Sequence, residues 1–182
     1  LVGTHTSWYF HKIFNHPLHF NHIDAYTTWK KAGDKWLLHI PELAVHAKGL
    51  DAAVSMNLTM QPKVSPYLEL LAGVRVGGGR IIRNYVPNVH MSPRLQQWLR
   101  QAFLKGHSDS SRLLYHGPLH TFPFSDHSGH FEAYAGFGDL TLKYHPDWPL
   151  LQHANGNIIF DDRSMHIDAD GGEVSGLHLD RV

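Results

Sequence analysis

Three groups of residues in this chain have types and spacings that could do chemistry, and histidine is the first of them, at 17 of 182 residues. His16-x-x-His19-x-x-His22 and His127-x-x-His130 resemble metal pairs. In a strand, however, such a spacing puts the rings on opposite faces, and no H-x-H pair of the kind a strand needs is present. Most of the histidines fall at polar positions of strands or in turns, so a solvated surface is expected. Its charge would climb steeply below about pH 6.5. The second group is the carboxylates Asp126, Glu132, Asp139, Asp161 and Asp162, all in turns or on the polar side of strands. The third is Gly77-Gly78-Gly79-Arg80, which lacks the lysine and following hydroxyl of a phosphate loop and reads as a turn. There is no G-x-S-x-G elbow. The residues therefore assign no catalytic group, no metal set and no cofactor. Tyr144, Trp148, Phe122 and Phe124 could stack on a ligand, but beside Pro123, Pro146 and Pro149 they more readily seal the ends of a sheet.

Composition narrows the class. Hydrophobic residues at 42% with 18% charged are ordinary for a globular domain, and 182 residues suffice for one core. Lys+Arg 16 against Asp+Glu 16 leaves no basic excess, so nucleic acid is not an expected partner. The absence of cysteine excludes disulfides and thiolate chemistry without fixing the compartment. No apolar run is long enough to span a bilayer. The chain opens on Leu1-Val2 and stops just after Leu177 and Leu179, which reads as an excerpt of a longer protein; any membrane contact would then lie in parts outside it.

One stretch has an unmistakable helical pattern. From Ser92 to Gly106, Leu95, Trp98, Leu99, Ala102 and Phe103 repeat at helical spacing, with Arg94, Gln96, Gln97, Arg100, Gln101 and Lys105 opposite. Ser92 suits the N-cap, Pro93 the first turn and Gly106 the position after the last. A helix over 92–106 that buries one face is expected, and everything else is strand. Trp8 to Phe14 has no clear period. Phe20–Lys30 and Lys35–Pro41 are joined by a hairpin turn at Gly33-Asp34, and Leu43, Val45 and Ala47 continue the alternation. Ala52, Val54, Met56, Leu58 and Met60 alternate over ten residues, and Leu68, Leu70, Ala72, Val74 and Val76 follow. After the helix come Arg112–Gly117, then Phe131, Ala133, Ala135 and Phe137, then Leu140, Leu142 and Tyr144, and finally short strands to Asp180. Closely spaced strands joined by tight turns make an antiparallel meander.

The apolar faces of these strands need a partner. Ten or so strands at about 4.8 Å spacing span roughly 50 Å, whereas a helix of about 14 residues is roughly 21 Å long. The helix cannot cover the sheet. Either the sheet folds into a closed sandwich, a structural or adhesion module that composition alone favours, or it stays an open trough covered by something apolar from outside. A histidine-rich metal-binding domain is the third reading.

The motifs Tyr85-Val86-Pro87, Trp98-Leu99, Tyr115-His116-Gly117-Pro118-Leu119, Phe122-Pro123-Phe124, Gly129-x-Phe131, Leu142-x-Tyr144 and Trp148-Pro149, followed by Phe160 to Ile167, resemble in type and order the middle of YhdP-like proteins of the AsmA superfamily. The resemblance covers nearly the whole chain and is densest from Tyr85 to Gly176. It implies a non-enzymatic segment of a long protein of the Gram-negative envelope, anchored in the inner membrane and crossing the periplasm as a curled, taco-like antiparallel sheet. The hydrophobic groove of such a sheet carries phospholipid toward the outer membrane. It shifts the choice toward the trough and implies two consecutive groove units, residues 1–91 and 107–182, on either side of a crossing helix. The partners are then phospholipid acyl chains and neighbouring groove units of the same chain. By alternation, the expected lining is Ala52, Val54, Met56, Leu58 and Met60; Leu68, Leu70, Ala72, Val74 and Val76; and Phe131, Ala133, Ala135, Phe137, Leu140 and Leu142.

Overall fold

The computed structural model describes residues 1–9, 16–82, 84 and 93–180. Most of the aperiodic Trp8–Phe14 segment, the Tyr85-Val86-Pro87 motif and the expected cap Ser92 fall outside the described residues. The alternating segments form β1 (Val2–Trp8), β2 (Leu18–Ala32), β3 (Lys35–Ala47), β4 (Leu50–Met60) and β5 (Tyr67–Val76). A short α1 (Gly79–Ile82) and then α2 (Pro93–Ala102) come next. The chain returns to strand in β6 (Phe103–Pro118), β7 (His130–Leu142), β8 (Leu151–Asp161), β9 (Ser164–Ala169), β10 (Gly172–Val174) and β11 (Leu177–Leu179).

All eleven strands belong to one sheet, in chain order from β1 to β8 and then β10 and β11, with β9 also on β8. Every pairing is antiparallel. β8 is shared lengthwise, its start pairing β10 and its end pairing β9. Among the described residues the strands in substantial contact are ladder neighbours, and no second sheet packs on the first. The closed sandwich is therefore excluded: the molecule is a single open, curled antiparallel sheet with one crossing helix.

Curling explains how one layer buries anything. On β2, Leu18, Phe20 and Ile23 are buried and pack with Val45 and Ala47 of β3, and Ala25 is buried as well, as a concave face allows and a flat one does not. A second cluster joins Ala102 at the end of α2 to Leu140, Leu142 and Ala154. The opposite face is mostly polar, with Leu71 and Leu114 exposed opposite each other on it. Bulges keep the phase: register shifts between Tyr26 and Thr28, Ile40 and Leu43, and Phe137 and Leu140 let residues of opposite parity in one strand face the same side.

The helix is shorter than its sequence signals suggest. Pro93 opens it as expected, but it ends at Ala102, and Phe103 begins β6. Gly106 is not its terminator. It lies within β6 at φ +124°, and a Cβ there would stand 3.0 Å from the Leu140 Cα, so it is a strand glycine required by close backbone approach.

Candidate functional site

Rows of facing residues across the sheet build the site. Ile40, Met56, Leu70, Tyr115 and Phe131 form one row, each opposite the next across β3 to β7. Leu43, Val54, Ala72, Leu113, Ala133 and Phe160 form the row beside it, and Val45, Ala52, Val74, Ser111, Ala135, Ile158 and Ile167 the next. Leu38, Leu58 and Leu68 continue toward one end, with Met60 opposite Trp36 beyond them. Toward the other end stand Val76, Phe137, then Leu140 opposite Ala154 and Leu142 opposite Leu151. All sixteen residues expected on the lining thus share one face of the sheet. Sequence reasoning omitted Leu38, Ile40, Leu43, Val45, Leu113, Tyr115, Ile158 and Phe160 from that face. The alternation signal exists in each of these strands, but the bulges break it into pieces too short to phase against one another.

Each end of this trough is covered on its β6 to β8 side. At one end α2 lies over β7 and β8: the Trp98 indole N–H donates to Tyr144 O at 3.1 Å, the Lys143 backbone N–H to Ala102 O at 2.8 Å, and Trp98 meets Phe103 edge-to-face at 5.7 Å. Of the expected helix face, Trp98, Ala102 and Phe103 join the Leu140 cluster and Leu99 is half-buried, whereas Leu95 stays 38% exposed. At the other end the Phe122-Pro123-Phe124 segment folds over β6 and β7. Phe124 is 2% exposed, 5.2 Å from the Tyr115 ring, and Phe122 is 5.2 Å from Phe131. Burial here pushes the Tyr115 hydroxyl up to about 12, and that hydroxyl donates to Pro118 O at 3.2 Å. Phe122 and Phe124 are seals. Between the two covers Val54, Met56, Leu58, Leu68 and Leu70 remain only half-buried, a continuous apolar strip open to solvent.

The outer face accounts for many of the histidines. His39 Nδ1 donates to Asn57 Oδ1 at 2.6 Å, and Asn57 Nδ2 to Glu69 Oε2 at 3.1 Å. Glu69 stands 3.6 Å from His116, which faces His130 across the next ladder. His130 Nδ1 in turn lies 3.7 Å from Asp161 and 3.6 Å from Asp162. His46, Asp51 and Arg75 make a parallel row, and Lys105, Asp139 and His153 another. Asp139 accepts from Lys105 at 2.6 Å and from His153 at 2.8 Å, and together the two hold that carboxyl below its ordinary value. These are exposed cross-strand ladders, each pair of modest strength. His130, Asp161 and Asp162 are near enough to offer three donors to one cation, but they point away from the trough. Gly77 donates its N–H to Gly49 O at 3.0 Å, a turn into α1 and not a phosphate cradle.

A single open antiparallel sheet, polar outside, apolar inside and crossed by one helix, defines a β-groove protein. The family profile described as "YhdP protein" matches residues 5–182, and the chain belongs to that family. It is 24% identical over 170 residues to the "Intermembrane phospholipid transporter YhdP" of Escherichia coli (strain K12), an alignment covering 93% of this chain and 13% of the relative. The chain thus spans about an eighth of that protein's length. No solved structure matches it.

Proposed function

We propose that this chain is a segment of a phospholipid conduit, in which acyl chains lie along the half-exposed apolar strip while the polar outer face meets water. The single observation that carries the reading is the strip itself. Its rows run from β3 to β7 and, in part, on to β8, and no second sheet of described residues packs over them. Covering a few hundred Å² of such surface gains several kcal/mol at about 25 cal/mol per Å², enough to hold an apolar cargo without a catalytic group. The family supports this choice of cargo, since the E. coli relative is named for intermembrane phospholipid transport. On this reading the protein is non-enzymatic and works in the periplasm of a Gram-negative envelope, held in the inner membrane by parts outside residues 1–182. Residues 1–91 and 107–182 are consecutive groove units joined across the helix, with further units of the same polypeptide continuing the trough.

The test places a charge in the strip. Met56→Asp and Leu70→Asp each put a carboxylate on the inner face, and each is expected to abolish co-purifying phospholipid, measured by mass spectrometry, with the strand signal in circular dichroism retained. Leu71→Asp, 58% exposed on the outer face of the same strand, is the control and keeps its lipid. Parental amounts of lipid on both inner variants would overturn the assignment.

A further inference from the structure

The β2–β3 hairpin tip carries a feature the trough does not use. β1 covers β2 only as far as Asp24, with Leu1 bonded to Ala25, so the rest of β2 and the start of β3 project as an arm flanked on one side by β4. A soluble surface normally hides its largest apolar side chains, yet here Trp29 is 69% and Trp36 44% exposed. Met60, opposite Trp36, is exposed as well, as are Leu37 on the other face of β3 and Val64 in the turn after β4. The same tip is basic. Residues 26–40 and 57–66 hold Lys30, Lys31, Lys35 and Lys63 against Asp34 as their one carboxylate, in a chain whose total charge is zero. Asp34 is engaged by Gln61, whose Nε2 donates to it at 3.0 Å, and Lys31 lies 5.6 Å over the Trp36 ring.

Exposed tryptophans beside lysines match the chemistry of a bilayer interface. The indole rings sit at headgroup depth with the N–H in water, and the ammonium groups meet lipid phosphates. A second copy of this chain is a poorer partner because two such tips repel. We propose that the β2–β3 tip docks on an anionic phospholipid surface, with Trp29 and Trp36 entering the interface and Lys30, Lys31 and Lys35 held against its phosphates. Trp29 and Trp36 stand opposite Leu38 and Met60 of the trough rows, so a bilayer met by this tip adjoins the open end of the strip.

The experiment is co-sedimentation of the protein with vesicles of phosphatidylcholine alone and of phosphatidylcholine mixed with phosphatidylglycerol, at low and high salt. Binding is expected to be stronger to the anionic vesicles and to weaken with salt. Lys30→Glu/Lys31→Glu/Lys35→Glu is expected to lose about fivefold or more per lysine on anionic vesicles, and Trp29→Ala/Trp36→Ala to lose binding to both kinds. All five positions are exposed, so the variants keep the sheet. Leu70→Asp, which empties the trough, is expected to dock like the parent, separating this proposal from the conduit reading. Equal binding to both vesicle types, parental docking by the lysine variant, or a concentration-dependent dimer that Trp29→Ala/Trp36→Ala dissolves without any vesicle binding would each overturn it.

Discussion

Side chain by side chain, the outer face is tuned by proximity and the inner face by volume. Asp139 shows the first. Lys105 and then His153 hold its carboxyl below the ordinary 3.8, so the folded chain binds fewer protons there than the unfolded one. Stability from this group is fully present above 3.8 and fades as pH falls through the lower folded value. Asp139→Asn is therefore expected to lower the urea midpoint at neutral pH, with the gap to the parent closing in acid; a gap independent of pH would remove the ionic cause. Phe124 shows the second. Removing its buried ring should cost about 3–5 kcal/mol. Gly117, at φ +153°, has that ring 2.7 Å from where a Cβ would sit, so Gly117→Ala should cost about 1–3 kcal/mol through overpacking. In a double-mutant cycle the combined cost is expected to be less than the sum of the single costs, because the ring's share of the obstruction is gone while the Gly129 Cα, 2.8 Å from the same Cβ, remains. Strict additivity in denaturant midpoints would mean that the backbone, through φ strain or the Gly129 contact, and not the ring, sets the glycine. None of this was legible in the chain. His116 and His130, or Asp139 and His153, are paired by register, and no local spacing encodes which residues a ladder will place opposite one another.

Strands and helix were legible to different degrees. Wherever alternation runs unbroken, as from Ala52 to Met60 and from Leu68 to Val76, the residues that alternate in the sequence stand opposite one another on one face of the ladder. The helix start was equally plain at Pro93. Its end was not, because a glycine that terminates a helix and one that relieves a strand bulge are both chosen for positive φ, and Gly106 at +124° carries the same letter for either purpose. β6 likewise begins nine residues before Arg112, its shifts against β7 between Phe103 and Ser110 having erased the period. What fastens α2 is a short list, and it can be dissected. Trp98→Phe keeps an aromatic ring in the cluster but deletes the N–H donated to Tyr144 O, an expected loss of about 0.5–1.5 kcal/mol. Trp98→Ala removes both, an expected loss of about 3–5 kcal/mol. If α2 is held this way, amide exchange at Lys143, whose N–H reaches Ala102 O, should quicken in the alanine variant and change little in the phenylalanine one. Equal exchange in parent and alanine variant would show that the helix is fastened elsewhere.

For the molecule as a whole, the surplus of apolar strand surface was readable from the alternation. Pattern alone fits both a closed sandwich and an open trough, since both bury one face of every strand; composition leaned to the sandwich and the family resemblance to the trough, and the pairing order decides for the open sheet. An open sheet has edges, and edges have consequences. Leu1 and Ala25 exchange backbone bonds in both directions, at 2.6 and 2.8 Å. By the alternation of an antiparallel ladder, Gly3 then faces β2, while Val2 and Thr4 turn their N–H and C=O groups outward. An exposed row of this kind templates another strand. In the conduit reading that strand belongs to the next groove unit; in the isolated 182-residue chain it can come only from a second copy. Sedimentation velocity is therefore expected to show association that grows with concentration. Val2→Pro/Thr4→Pro, which removes outward donors and leaves the bonds to β2 in place, is expected to shift the chain toward monomer without loss of strand signal. Association unchanged by the prolines would move the interface to the β9 and β11 side, and a monomer at every concentration would mean that the sheet protects its own margins.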